Sequence, residues 1–353
     1  MSSSDDRGRT DRPVQAELSG PSAVRLVPLL KRTLWGGRRL GTRLGKPIGP
    51  EADYAESWEA VDRDDAQSVV ADGPWAGRSL GDLWRNESQW LAGSVACPAP
   101  RFPLLLKYLD CHRVLSVQVH PDDEAAARQD PPDLGKTEAW YVVEAEADSV
   151  IYAGLRPGVT RADVAQAVRA GETGRVLHQF RPRAGDCVLI PAGTVHALGA
   201  GLLVCEIQQS SDTTFRLFDW NRVDASGKGR TLHVDQALSV MDYDSGPVTP
   251  IAAGPTAAGW QTRVACDKFV LRSLTQGSAR SGGDGRWRLI SIPEGAADLV
   301  WDRQTRSLGR GETILVPASG APFRIELTRP GVVLEMCPPP ERPPFPVGSS
   351  STS

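Results

Sequence analysis

Gly185-Asp-Cys-Val-Leu-Ile-Pro191-Ala-Gly193-Thr-Val-His196 reads as a turn, a short apolar strand, a second turn and then a histidine. Gly185 opens the first turn, the Val188, Leu189 and Ile190 run suits a buried strand, and Pro191 with Gly193 ends it through one fixed and one permissive backbone torsion. His196 is therefore aimed by the chain rather than merely present in it. Partners are expected upstream. In Val114-Leu-Ser-Val-Gln-Val-His120 apolar and polar residues alternate, so Leu115, Val117 and Val119 share one strand face, and Ser116, Gln118 and His120 share the other. Glu138, 18 residues after His120, stands just before the apolar Trp140 to Val143 run. A carboxylate at the edge of a buried strand is costly unless compensated, and a metal would compensate it. The candidate metal ligands are Gln118, His120, Glu138 and His196, an N/O donor set that suits zinc.

Composition excludes several classes of function. The 353-residue chain is long enough for a sizeable core, and its net charge of -3 provides no basic field for nucleic acid. No apolar run approaches the roughly 20 residues that span a bilayer. Met1-Ser-Ser-Ser-Asp-Asp-Arg-Gly-Arg lacks the apolar core of a secretion signal. The six cysteines (Cys97, Cys111, Cys187, Cys205, Cys266 and Cys337) contain no C-x-x-C pair and are read as reduced thiols. A cytoplasmic chain is expected, with a small-molecule substrate, no nucleic-acid or membrane partner, and a monomeric or weakly homodimeric state.

Residues 1–22 and 338–353, rich in Ser, Asp and Gly or in Pro and Ser, read as disordered tails. Leu80, Leu83, Trp84 and Trp90 have helical spacing after Ser79, and Thr160-Arg-Ala-Asp163 reads as a capping box opening a helix that stops at Gly171. The remaining body is short strands punctuated by Gly and Pro, which argues for barrels or sandwiches with helical insertions. Gly311-Glu-Thr-Ile-Leu-Val-Pro317 repeats the glycine-to-proline step of Gly185 to Pro191, but Ser319 and Pro322 stand where the first copy has Gly193 and His196. The second copy keeps the turn and loses the histidine.

The Gly185 to His196 spacing resembles the second motif of cupin β-barrels, whose histidine is usually a metal ligand. A more specific resemblance rests on Ser116-Val-Gln118-Val-His120-Pro-Asp-Asp, Gly135-Lys136-Thr-Glu138-Ala-Trp, Pro191-Ala-Gly-Thr-Val-His196-Ala-Leu and Glu206-Ile-Gln-Gln-Ser-Ser-Asp-Thr-Thr-Phe-Arg216-Leu-Phe-Asp-Trp. In order and spacing these are similar to type I mannose-6-phosphate isomerases of the short bacterial form. Leu34-Trp-Gly-Gly37 and Glu56-Ser-Trp-Glu59 extend the resemblance over roughly residues 24 to 337. Gln118 departs from the histidine of most metal-binding cupins, and the family shares that glutamine.

The resemblance implies a mainly β chain of two cupin-type (jelly-roll) barrels with a helical insertion. Residues 23–249 would form the catalytic barrel, and 250–337 a degenerate one without metal ligands. It also implies interconversion of mannose 6-phosphate and fructose 6-phosphate through a cis-enediol, with one Zn²⁺ per chain. Glu206, ten residues before Arg216, is the candidate base, and Arg216 the candidate group facing the sugar. Lys136, Ser116 and Arg222 are the candidates for phosphate binding. His112, His178 and His233 lack comparable company, and Trp35, Trp58, Trp140 and Trp220 are read as core. Two other readings use the same scaffold: an Fe(II) cupin oxygenase using His120, His196 and Glu138, and a catalytically silent sugar-phosphate-binding protein.

Overall fold

Three antiparallel sheets stacked on one another form the body of the fold, and the stacking explains the hydrophobic pattern of their strands. The computed structural model describes residues 20–93, 99–223, 227–254 and 258–340; most of both expected tails, and Cys97, lie outside these. The central sheet has six strands in the order Cys187–Ile190, Glu138–Ala145, Leu202–Gln209, Leu104–Cys111, Tyr54–Ala60 and Leu29–Gly37. A five-stranded sheet, ordered Leu177–Phe180, Ile151–Leu155, His196–Leu198, Val117–Val119 and Phe215–Phe218, shares a core with one face of it. That core includes Leu109, Trp140, Val142 and Val204 from the central sheet and Ile151, Ala153 and Leu198 from its neighbour. The outer face of the five-stranded sheet is covered by the helices Arg161–Arg169 and Val234–Val240.

The opposite face of the central sheet packs on a nine-stranded sheet built mainly from residues beyond 260. Leu104, Leu106, Tyr108 and Ile207 meet Leu271, Leu289, Leu315, Leu334 and Met336 there. Because both faces are covered, the Leu104–Cys111 strand is buried at every position, its apolar run broken only by Lys107 and Asp110. Alternation still sorts its side chains. Tyr108 donates or accepts a 2.7 Å bond with Ser291 of the nine-stranded sheet, whereas Lys107 and Leu109 face the other way, into a cleft. The Tyr54–Ala60 strand behaves alike: Glu56 and Trp58 line the cleft, while Glu59 points away to a buried ion pair with Lys46 at 2.6 Å.

The sheets do not divide at residue 249/250. Val24–Val27 lies between Thr313–Val316 and Val69–Val70 in the nine-stranded sheet, so the N-terminal part of the chain supplies two of its strands. The repeated turn at Gly311 leads into Thr313–Val316, as Gly185 leads into Cys187–Ile190. Ser79 caps the Leu80–Asn86 helix by accepting from the Asp82 N–H, and a short Ser88–Leu91 helix follows. The Thr160–Asp163 capping box is formed at the start of Arg161–Arg169, with both reciprocal bonds in place. Among the described residues, Cys111, Cys187, Cys205, Cys266 and Cys337 are free thiols, and no helix is long and apolar enough to cross a membrane.

Candidate metal centre

His120, Glu138 and His196 come together where the five- and six-stranded sheets face each other. The turn ahead of His196 is held in place by its backbone: Gly193 has φ 86°, and its N–H donates to the carbonyl of His120 at 2.8 Å. One turn therefore fixes both histidines. His196 is the first residue of its strand, directly opposite Gln118 in the antiparallel register, and Gln118 is in turn opposite Arg216 on the other side. Directly opposed residues project from the same face of a sheet, which puts His196, Gln118 and Arg216 in one row. Glu138 opens its own strand rather than preceding it, opposite Ile190 on one side and Gln208 on the other.

The three side chains are almost completely buried, and their donor atoms lie within 4.8 Å of one another. The His120 Nε2 is 3.5 Å from one Glu138 oxygen, and the His196 Nε2 is 3.3 Å from the other. Each imidazole uses Nδ1 on a backbone carbonyl, that of Thr213 for His120 and that of Thr194 for His196, both at 2.9 Å. Nδ1–H donation leaves the Nε2 lone pair directed inward, which is the tautomer a metal ligand needs. Burial, reinforced at His120 by Lys136, depresses both imidazoles below their ordinary range, His196 to about 4, so both are neutral at pH 7. Burial, with repulsion from Glu206, pushes the Glu138 carboxyl up against the pull of Lys136 and Lys107.

Four inward-facing atoms (the two Nε2 and both Glu138 oxygens) are buried without a hydrogen-bond partner. An unpaired buried polar atom costs about 1–3 kcal/mol, more when charged, and four in one place are not sustainable without a shared partner. Two neutral imidazoles and a carboxylate fit a divalent cation.

Beside the centre lies a cleft of about 560 Å³ whose floor is one face of the central sheet; His120, Glu138 and His196 do not line it themselves, and Lys136, 3.4 Å from Glu138, and Gln118, opposite His196, do. Across that floor Trp140, Glu206, Lys107 and Trp58 stand opposite one another on four successive strands. Glu206 accepts from the Trp140 indole at 3.0 Å and lies 3.4 Å from the Lys107 ammonium, which is also 3.7 Å from Glu56. Burial alone would raise the Glu206 carboxyl, but Lys107, Lys136 and the indole bond outweigh it and hold it below the ordinary range. Burial likewise works against the Lys107 charge, and Glu206 and Glu56 overcome it and raise its pKa. Glu206 and Lys107 are thus a charged pair at neutral pH.

Of the other residues singled out in the sequence, Ser116, Gln118, Lys136 and Arg216 line the cleft. The Lys136 Nζ is 3.4 Å from Glu138. Arg216 donates to the Thr231 carbonyl at 2.7 Å, and its Nε is buried without a partner. His233 supports it, accepting from the Arg216 N–H at 3.2 Å. Arg222 is elsewhere. Asp219, three residues earlier, and the Val114 carbonyl at 2.6 Å capture its guanidinium, and it does not line the cleft. The same Asp219 holds Arg230, which does. Trp35, Trp58 and Trp140 are buried as expected, yet each also forms part of the cleft wall. Lys107 and Arg230 escaped sequence reasoning. A lone lysine within Leu104-Leu-Leu-Lys107-Tyr-Leu was the available signal for the first, because a charge inside so apolar a strand requires a buried counter-charge.

Residues 24–147 match the family model for the catalytic domain of phosphomannose isomerase type I. The chain is 34% identical to mannose-6-phosphate isomerase ManA of Bacillus subtilis over 302 residues, covering 85% of this chain and 94% of that one. The chain belongs to the type I mannose-6-phosphate isomerase family. A second Bacillus subtilis relative, the probable mannose-6-phosphate isomerase GmuF, is 38% identical over 309 residues, 86% of this chain and 96% of its own. The crystal structure of the mannose 6-phosphate isomerase from Bacillus subtilis superposes with a TM-score of 0.78 at 29% identity, spanning 90% of this chain and 99% of that one. The likeness to this isomerase family therefore extends through the nine-stranded sheet and is not confined to the strands around the metal centre.

Proposed function

We propose that this chain interconverts mannose 6-phosphate and fructose 6-phosphate, with Zn²⁺ as the metal held by His120, Glu138, His196 and Gln118. The observation that carries this reading is the set of four inward atoms buried without a hydrogen bond, beside a cleft lined by Gln118, Lys136, Glu206 and Arg216. We read the five- and six-stranded sheets as one cupin-type barrel and the strands beyond residue 260 as a degenerate second one, completed by Val24–Val27 and Val69–Val70.

The isomerisation moves a proton between C2 and C1 of the sugar, through a cis-enediol. The substrate's α-proton is too weakly acidic for a carboxylate to remove unless charge on the neighbouring oxygens is stabilised. Bound zinc would supply Lewis acidity for this, worth several kcal/mol. Glu206 is the proposed base. Its ion pair with Lys107 keeps it ionised, and the Trp140 indole fixes the oxygen it accepts on. Arg216, in the same cross-strand row as Gln118, would donate to O1 or O2 as charge develops.

The phosphate requires cations beyond those at the reacting end. Lys136 lies against Glu138, so we assign it to the reacting end. We replace Arg222 by Arg230 as the candidate phosphate-binding arginine, with Ser116 retained. Arg230→Ala is expected to raise KM for the sugar phosphate roughly 10-fold or more, the worth of one charge-assisted hydrogen bond, with a smaller change in kcat. Arg222→Ala should leave KM within about 3-fold while lowering the melting temperature, because it releases the loop joined by Val114 and Asp219. Steady-state kinetics of the two variants would reverse the assignment if their effects were exchanged.

The reaction is tested by following fructose 6-phosphate formation from mannose 6-phosphate before chelation, after it, and after zinc is restored. Activity that vanishes and returns supports reaction and metal together. A folded, zinc-loaded protein that binds the sugar phosphate without turning it over would instead be a silent binding protein.

A further inference from the structure

The His120 imidazole is oriented by a carbonyl from the segment leading into the neighbouring Phe215–Phe218 strand, and that carbonyl belongs to a residue clamped on its other side. Thr213 accepts from His120 Nδ1–H through its backbone oxygen at 2.9 Å. Its hydroxyl donates to the Asp133 carboxylate at 3.1 Å. The same Asp133 oxygen accepts from Ser211 Oγ, also at 3.1 Å, and Ser211 Oγ in turn accepts from the Thr213 N–H at 3.2 Å. The other Asp133 oxygen accepts from the Leu134 N–H and from Arg101, each at 2.9 Å, and Arg63 lies 3.5 Å from the first.

We propose that Asp133 is a positioning residue for the metal centre: through the Ser211–Thr213 segment it fixes the carbonyl that orients His120. The assignment rests on reading His120 as a metal ligand. Five donors converge on one carboxylate whose side chain is 11% exposed, and they fill its acceptor sites. Leu134, Arg63 and Arg101 hold the carboxyl below its ordinary range against the effect of burial, so it accepts from all of them at neutral pH. The geometry also has a direction. Asp133 lies five residues before Glu138, so the hub ties the chain entering one candidate ligand to the carbonyl that orients another.

The test is zinc affinity, measured by competition with a chromophoric chelator at fixed pH, together with the visible spectrum of the Co²⁺-loaded protein. Thr213→Val removes only the hydroxyl and keeps the carbonyl, and Thr213→Ser restores the hydroxyl. Asp133→Asn and Thr213→Val should each weaken zinc binding by about 10- to 100-fold, the usual effect of losing an outer-shell partner, and should alter the Co²⁺ bands. Thr213→Ser should behave as the native protein. Wild-type affinity and an unchanged spectrum in Thr213→Val would overturn the proposal, and this pair decides even where Asp133→Asn does not fold. A native protein that takes up neither zinc nor Co²⁺ would overturn the metal reading itself, and the assignment of Asp133 with it.

Discussion

Glu138→Ala is expected to yield protein that purifies with little or no bound metal and has lost turnover on the order of 10³-fold or more, since several kcal/mol of transition-state stabilisation disappear at about 1.4 kcal/mol per tenfold. Glu138 is the one anionic group among the candidate ligands, and its oxygens lie between the two imidazoles at 3.3 and 3.5 Å. Removing it leaves two neutral imidazoles and an amide, too weak a set to retain a dication against a chelator. It also leaves Lys136 beside an apolar hole, so high zinc alone should restore little activity. Elemental analysis beside the rate measurement separates the outcomes. Full zinc with lost rate would move Glu138 from ligand to proton carrier, and full zinc with full rate would remove it from the site.

Glu206→Gln should keep its zinc and lose about 10²- to 10⁴-fold in kcat, the usual contribution of a positioned base. The amide is nearly isosteric and can still accept from the Trp140 indole, so the cleft should survive. Lys107 provides an independent check through pH. Because Lys107 holds the Glu206 carboxyl below its ordinary range, the ionised form persists well into acid and is lost only as pH falls through that depressed value. Lys107→Met removes the main group opposing burial, so the acid limb of kcat/KM should move to higher pH. An acid limb that stays in place, or a Gln variant with undiminished kcat, would transfer the base role to another group.

Gln118, His120 and His196 were legible because a local rule places each of them. Alternation along Val117–Val119 decides that Gln118 and His120 share a face, and the Gly193 turn decides where His196 points; both rules act within a few residues. The helix starts at Ser79 and Thr160 were legible for the same reason, since a cap is a contact within one turn. What sequence reasoning missed depends on distant strands. Lys107 becomes part of the site only because Glu206, about a hundred residues later, is its cross-strand neighbour. Arg222 was singled out by its offset from Arg216, yet Asp219 pairs with both it and Arg230, and only the folded chain shows that Arg230 lines the cleft while the Val114 carbonyl holds Arg222 away from it. The division of the chain at residue 249/250 followed the repeated turn at Gly311 and the family resemblance, whereas pairing placed Val24–Val27 with strands at the far end.

That pairing sets a timetable. Val24 is opposite Leu315, so at about 5–20 residues per second a ribosome would need roughly 15–60 s after making Val24–Val27 to deliver its partner. Until then Val24–Val27 has only the two-residue Val69–Val70 strand beside it, and its other edge offers unpaired amides to any extended chain nearby. Long-range closure of this kind is slow, which leaves the newborn chain vulnerable to aggregation until Thr313–Val316 arrives. Once the sheet closes, both ends of the folded body are stitched into one structure. Peeling either end away exposes the apolar face on which the catalytic sheet rests, so unfolding from the termini and unfolding of the active site should be a single event.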